Sequence, residues 1–98
     1  MKFTQIIEFT TARIDEFNEH LDAWMVESEG RRIPHDAVLR RDRDADNVYL
    51  LTVEFESHDQ AMANSDRPET AAFAAFLQGL TDTGLTFRNL DVLREEHL

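Results

Sequence analysis

The sequence contains no cysteine, and this absence excludes several classes of function at once. Disulfide bonds, thiolate nucleophiles and cysteine-ligated metal sites all require the missing side chain. Long hydrophobic runs are also missing, and none approaches the ~20 apolar residues that a membrane-spanning helix needs. The first residues, MKFTQ, lack the apolar stretch and the small-residue cleavage site of a secretion signal. We therefore expect a cytoplasmic protein that does not cross a membrane.

Positive charge is also scarce, since ten basic residues face twenty acidic ones and the net charge is −10. A chain this acidic repels phosphate backbones and anionic membranes, so we expect neither nucleic acid nor a membrane as a partner. Five arginines nevertheless fall in one short stretch: Arg31, Arg32, Arg40, Arg41 and Arg43. Two interpretations are open: a solvated hairpin whose arginines pair with Asp42, Asp44 and Asp46, or a positive edge that holds a carboxylate or a phosphate.

The order of strand-like and helix-like segments carries the main evidence on the fold. Alternation with a period of two predicts strands, and apolar residues spaced by three and four predict helices. The predicted strands cover residues 3–9, 37–41, 49–55 and 87–93, and the predicted helices cover 14–28 and 57–80. The second helix is interrupted near Pro68, a residue suited to the first turn of a new helix. This order predicts a single α+β ferredoxin-like domain over residues 1–98, with an antiparallel βαββαβ sheet and both helices on one face.

Two of the predicted strands carry apolar residues on both faces. Ile6 and Ile7 point to opposite sides of the first strand, and Leu50 and Leu51 do the same on the third. Strands covered on both faces show this pattern. Because both helices cover the same face, the chain has nothing left to cover the other, and we expect a second copy to do so in a homodimer.

Three segments resemble the dimeric α/β-barrel superfamily, and within it the antibiotic-biosynthesis-monooxygenase-like domains, including small actinobacterial members. They are YLLTVEF at residues 49–55, the helix-break region with AMANS, Pro68-Glu69-Thr70 and Phe73, and TFRNLDV at residues 86–92. The resemblance implies a homodimer in which two sheets close a barrel. Members of these families oxidise quinol-type aromatic compounds without a cofactor, degrade haem, or have no known activity.

The sequence departs from the haem-degrading branch at each of its characteristic positions. That branch carries an asparagine on the first strand, and a tryptophan and a histidine on the second helix. Here the first strand offers Gln5, and the only tryptophan, Trp24, lies on the first helix. The corresponding helix positions hold Met62, Ala63, Ala71 and Ala72. Haem degradation is therefore not expected.

Five residues are candidates for a site, and each also has a purely structural interpretation. Trp24 and Tyr49 are either core residues or a platform for a planar ligand. Asn64 either caps the broken helix or turns toward a pocket. His20 is either a boundary residue or an acid–base group. One of Arg88 and its neighbour Asn89 should face inward, and an inward arginine needs an acidic partner or a ligand.

Metal and cofactor chemistry have little support in the sequence. Glu16 and His20 are spaced by one helical turn, but two ligands without a third make no metal site. No nucleophilic triad, glycine-rich phosphate loop or cofactor fingerprint is present. We therefore expect no metal and no cofactor.

The sequence favours a small-molecule binder or a cofactor-independent monooxygenase-like protein acting on an aromatic ligand between sheet and helices. His20 and Arg88 are the catalytic candidates, and Trp24, Tyr49 and Asn64 are the ligand-binding candidates. The alternative is a non-catalytic homodimeric module, structural or regulatory, in which the helices seal against the sheet.

Overall fold

The computed structural model describes all 98 residues and contains four strands and three helices. They follow in the order β1 (Phe3–Thr10), α1 (Ile14–Glu27), β2 (Asp36–Arg41), β3 (Val48–Phe55), α2 (His58–Ser65), α3 (Pro68–Leu80) and β4 (Thr86–Asp91). The sheet order is β2-β3-β1-β4, and every neighbouring pair is antiparallel. This confirms the predicted ferredoxin-like βαββαβ fold, with the second helix in two pieces. No helix has the length and hydrophobicity of a membrane span.

The break between α2 and α3 follows from local sequence chemistry. Pro68 is the first residue of α3, where its missing N–H costs no helical hydrogen bond. Helical geometry is disfavoured for the residue before a proline, and Arg67 accordingly adopts an extended conformation with ψ of 140°. At the start of α2, the side chain of Ser57 accepts the N–H of Gln60 and caps the helix. The chain therefore bends sharply where the polar segment 64–67 meets Pro68.

The register of the sheet separates the strand residues into two faces. Residues directly opposite one another on antiparallel strands share a face. The pairs Ile7–Leu51 and Phe9–Tyr49 lie on the face that the helices cover. The other face, which we call the bare face, includes Ile6 of β1 and no helix covers it. Its other residues on the four strands are Thr4, Glu8, Thr10, Asp36, Val38, Arg40, Val48, Leu50, Thr52, Glu54, Thr86, Arg88 and Leu90.

The covered face packs into two separate hydrophobic clusters. The larger cluster consists of Ile7, Phe9, Phe17, Tyr49, Leu51, Leu77 and Leu80, and the smaller of Phe3, Phe55 and Ala61. Gln5 lies between Phe3 and Ile7 along β1, at the boundary between the clusters. The core is therefore interrupted in the middle of the covered face, and this gap positions the site.

Candidate functional site

A cavity of about 270 Å³ lies between the covered face of the sheet and the helices, and it opens to solvent. The strands and the segment before β2 line it with Gln5, Ile7, Pro34, Ala37, Leu51, Val53, Phe55 and Phe87. The helices line it with Leu21, Trp24, Asn64, Ser65, Thr70, Ala71, Phe73, Ala74 and Leu77. The small side chains of Ala71 and Ala74 leave space on α3 where larger residues would meet the sheet. The predicted alternative of helices fully sealed against the sheet is therefore wrong.

Four polar side chains border this mostly apolar space: Gln5, Asn64, Ser65 and Thr70. The Gln5 amide donates to Oδ1 of Asn89 at 3.2 Å, and the Ser65 hydroxyl donates to the carbonyl of Ala61 at 3.1 Å. The side-chain amide of Asn64 makes no such bond and borders the cavity. None of the lining residues is a histidine, a carboxylate, a lysine or an arginine. The cavity can thus orient a ligand with neutral polar groups, but it holds no proton donor or acceptor that titrates near neutral pH.

Of the residues predicted to bind a ligand, Trp24 and Asn64 line the cavity and Tyr49 does not. Trp24 is half-buried, with its ring centroid 6.4 Å from that of Phe73. Tyr49 is buried in the larger cluster, where its ring stacks on Phe9 with centroids 5.9 Å apart. Tyr49 therefore belongs to the core, which is the structural alternative that the sequence left open.

His20 lies outside the cavity, behind the aromatic residues of α3. Its ring stacks on Phe76 with centroids 3.9 Å apart and an interplanar angle of 4°. It also meets Phe73, which lines the cavity, edge-on at 5.3 Å. His20 is not among the lining residues, so it fits the boundary interpretation.

Arg88 is on the opposite side of the sheet from the cavity. It pairs with Ile6 across β1 and β4, and both side chains point to the bare face. The inward residue is Asn89, which faces Gln5 in the register and accepts its hydrogen bond. The predicted contact of Arg88 with a ligand between sheet and helices is therefore wrong.

The five clustered arginines do not form one edge, because the chain distributes them over different surfaces. Arg40 lies on the bare face and donates to the hydroxyl of Thr52 at 2.9 Å. Arg41 faces the other way, opposite Tyr49. The predicted pairing with the hairpin aspartates is absent, since the ion pairs include none between these arginines and Asp42, Asp44 or Asp46.

One group of side chains is close enough to share a metal ion, and it is remote from the cavity. His35, Asp36 and Glu54 have ligand atoms within 4.8 Å of one another. Asp36 and Glu54 oppose each other on the bare face, so the group is not positioned to act on a molecule between sheet and helices. The Glu16 carboxylate, the other residue considered for metal binding, instead pairs with Arg13 at 3.1 Å.

The four-stranded sheet with helices on one face is a fold shared with solved structures that include an oxygenase and a protein assigned as an antibiotic biosynthesis monooxygenase. A variant of SnoaB, a cofactor-independent oxygenase from Streptomyces nogalater, matches 96% of this chain and 95% of its own at 19% identity and a TM-score of 0.79. Rv0793 from Mycobacterium tuberculosis covers 99% of this chain and 100% of its own at 15% identity and a TM-score of 0.77.

A third similar structure is a protein of Caulobacter crescentus that is provisionally assigned as an antibiotic biosynthesis monooxygenase. It matches 95% of this chain and 91% of its own, with 14% identity and a TM-score of 0.78. At these identities the likeness establishes the shared fold. The sequence matches no protein-family model and no curated protein.

Proposed function

We propose that this protein binds a small aromatic molecule in the cavity between sheet and helices. The observation that carries the proposal is the cavity itself, an apolar space with a few polar groups and one tryptophan at its border. Ligand sites are typically concave and apolar with a small number of polar groups that fix orientation. The volume of about 270 Å³ is near the lower end of the usual range, which favours a compact planar ligand.

A monooxygenase-like reaction without a cofactor is the activity that the shared fold suggests. Dioxygen is reduced most readily by an electron-rich anion, so a quinol-type substrate has to lose a proton before it reacts. The lining residues include no group that titrates near neutral pH. The protein would therefore contribute binding and orientation, and the substrate would enter the cavity already ionised.

Fluorescence of Trp24, the only tryptophan, tests the binding proposal directly. Titration with a panel of quinols, naphthols and anthraquinols should quench this fluorescence in a saturable way, because an aromatic ligand in the cavity lies against the indole. Free indole derivatives titrated in parallel correct for absorption by the ligand. If no compound in a broad panel gives saturable quenching, the proposal fails.

A ligand-binding module without catalysis is the second candidate. The absence of titratable groups among the lining residues favours it, because general acid–base catalysis requires such a group within hydrogen-bond reach of the ligand. Oxygen uptake separates the two candidates. Consumption of dioxygen during turnover of a bound quinol, above the rate without protein, would establish catalysis with dioxygen, whereas binding without uptake would support the binding module.

We further propose that the working form is a cytoplasmic homodimer that buries the bare face. Val38 and Leu90 on this face are 41% and 42% exposed, and the apolar side chains of Ile6 and Leu50 lie between them. The face also carries both signs of charge, with Arg40 and Arg88 alongside Glu8, Asp36 and Glu54. A second copy related by two-fold symmetry could therefore cover the apolar residues and pair the charges.

A further inference from the structure

Three arginines gather at one end of the cavity, where the end of α1, the segment before β2 and the α2–α3 break meet. We call Arg31, Arg32 and Arg67 the arginine rim. The guanidinium carbon of Arg32 lies 6.0 Å from the ring centroid of Trp24, which lines the cavity. Arg67 is half-buried between Ser65 and Thr70, two more lining residues, and its guanidinium donates to the backbone carbonyl of Arg31.

Most of the positive charge of this rim is not neutralised within the chain. Arg31 pairs with Glu69 at 3.3 Å, whereas none of the six ion pairs includes Arg32 or Arg67. The Arg32 guanidinium donates only to the carbonyl of Met25, at 3.4 Å. Neither arginine lines the cavity itself, but Arg32 lies over a lining tryptophan and Arg67 lies in the chain between two lining residues. Guanidinium groups that have no carboxylate partner and lie beside a cavity lining are suited to hold an anionic group of a ligand.

We propose that the ligand is an aromatic carboxylate, with its ring in the cavity and its carboxylate held by Arg32 and Arg67. This inference rests on the proposed aromatic binding and adds the charge of the ligand to it. Guanidinium groups bind carboxylates through paired N–H donors, and such charge-assisted bonds are stronger than neutral ones. Glu69 already offsets Arg31, so the guanidinium groups of Arg32 and Arg67 are the two that remain to bind the carboxylate.

The position of Arg32 over Trp24 supports an aromatic rather than an aliphatic acid. An arginine stacked on an indole holds its guanidinium plane along the ring, which leaves edge N–H groups free for an anion. A planar ligand that continues into the cavity can lie near Trp24 and Phe73, with its acid group at the free edge of Arg32. One orientation thus satisfies the apolar and the charged parts of the site together.

Calorimetric titration with naphthoate and naphthamide tests the charge of the ligand, because the two have nearly the same shape and differ in charge. We expect naphthoate to bind at least about tenfold more tightly at low ionic strength, and the difference to shrink with added salt. The Arg32→Gln and Arg67→Gln substitutions should each weaken naphthoate about five- to tenfold and leave naphthamide unchanged. The matched control is Arg43→Gln, on the hairpin away from the cavity, which should change neither affinity.

The outcomes separate this inference from the proposal on which it rests. Equal affinities for naphthoate and naphthamide would overturn the anionic ligand and leave aromatic binding intact. A preference for naphthoate that persists when Arg32 and Arg67 are both replaced would overturn the role of the rim. Binding of neither compound would overturn both proposals. Thermal melts of each variant show whether a loss of affinity reflects a loss of fold. Arg32→Gln is the decisive variant because the only hydrogen bond of the Arg32 side chain is one long contact with the Met25 carbonyl, at 3.4 Å.

Discussion

At the scale of single residues, the cavity exists because a few side chains are too polar or too small to complete the core. Gln5 interrupts the buried side of β1, where Phe3, Ile7 and Phe9 are all buried. On α3, Ala71 and Ala74 face the same space. Native cores leave few voids larger than a water molecule. In a fully packed core, large apolar residues would therefore occupy these positions.

Filling the cavity from α3 should abolish binding while leaving the fold intact. We expect Ala74→Phe to weaken any aromatic ligand by more than about tenfold, because the new ring occupies space that the ligand needs. Saturable quenching of Trp24 fluorescence measures the effect. The matched control is Ala72→Phe, the same change on the same helix at an exposed position that does not line the cavity. Equal affinities in the two variants would mean that the ligand binds elsewhere.

At the scale of the secondary-structure elements, the glycines of α3 and of the turn after α1 have opposite roles. Gly79 lies within α3, and a Cβ added there would meet no atom within 4 Å. Glycine inside a helix costs about 0.5–1 kcal/mol relative to alanine. Gly79→Ala should therefore raise the free energy of unfolding by up to about 1 kcal/mol. Urea denaturation measures this change.

The contrasting substitution is Gly30→Ala in the turn that follows α1. Gly30 has a φ of +76°, in the left-handed region where an L-residue is strained. The same urea experiment should show a loss of about 1 kcal/mol, although a Cβ at Gly30 also meets no neighbouring atom. A stabilising effect of Gly30→Ala would contradict the backbone conformation of this turn.

Most elements could be predicted from the sequence, because alternation, helical spacing and the proline break are local signals. The side to which Arg88 points could not be predicted in this way, since it depends on the register with β1 and a shift of one residue reverses every side chain. The arginine rim was also missed, because Arg67 is distant in sequence from Arg31 and Arg32 and joins them only when the chain folds. One residue in the sequence did indicate the cavity. Gln5 is polar and lies on a side of its strand that is otherwise apolar.

At the scale of the whole molecule, the bare face is the proposed interface between two copies of the chain. Leu90→Glu should convert a homodimer to a monomer, because it places a charge in the apolar part of the interface without disturbing the covered core. Sedimentation velocity measures the change. The matched control is Val26→Glu on α1, where the valine is 76% exposed and no role in assembly is proposed. A wild-type protein that sediments as a single chain at micromolar concentration would contradict the dimer.

The interruption of the core by Gln5 has a consequence for how the molecule holds together. Residues of both hydrophobic clusters line the cavity, so a bound ligand would contact both clusters and connect them. Its binding free energy would then add to the free energy of unfolding. Amide hydrogens on the central strands β1 and β3 would exchange more slowly in the occupied protein than in the empty one, and the two halves of the interior would open as one unit.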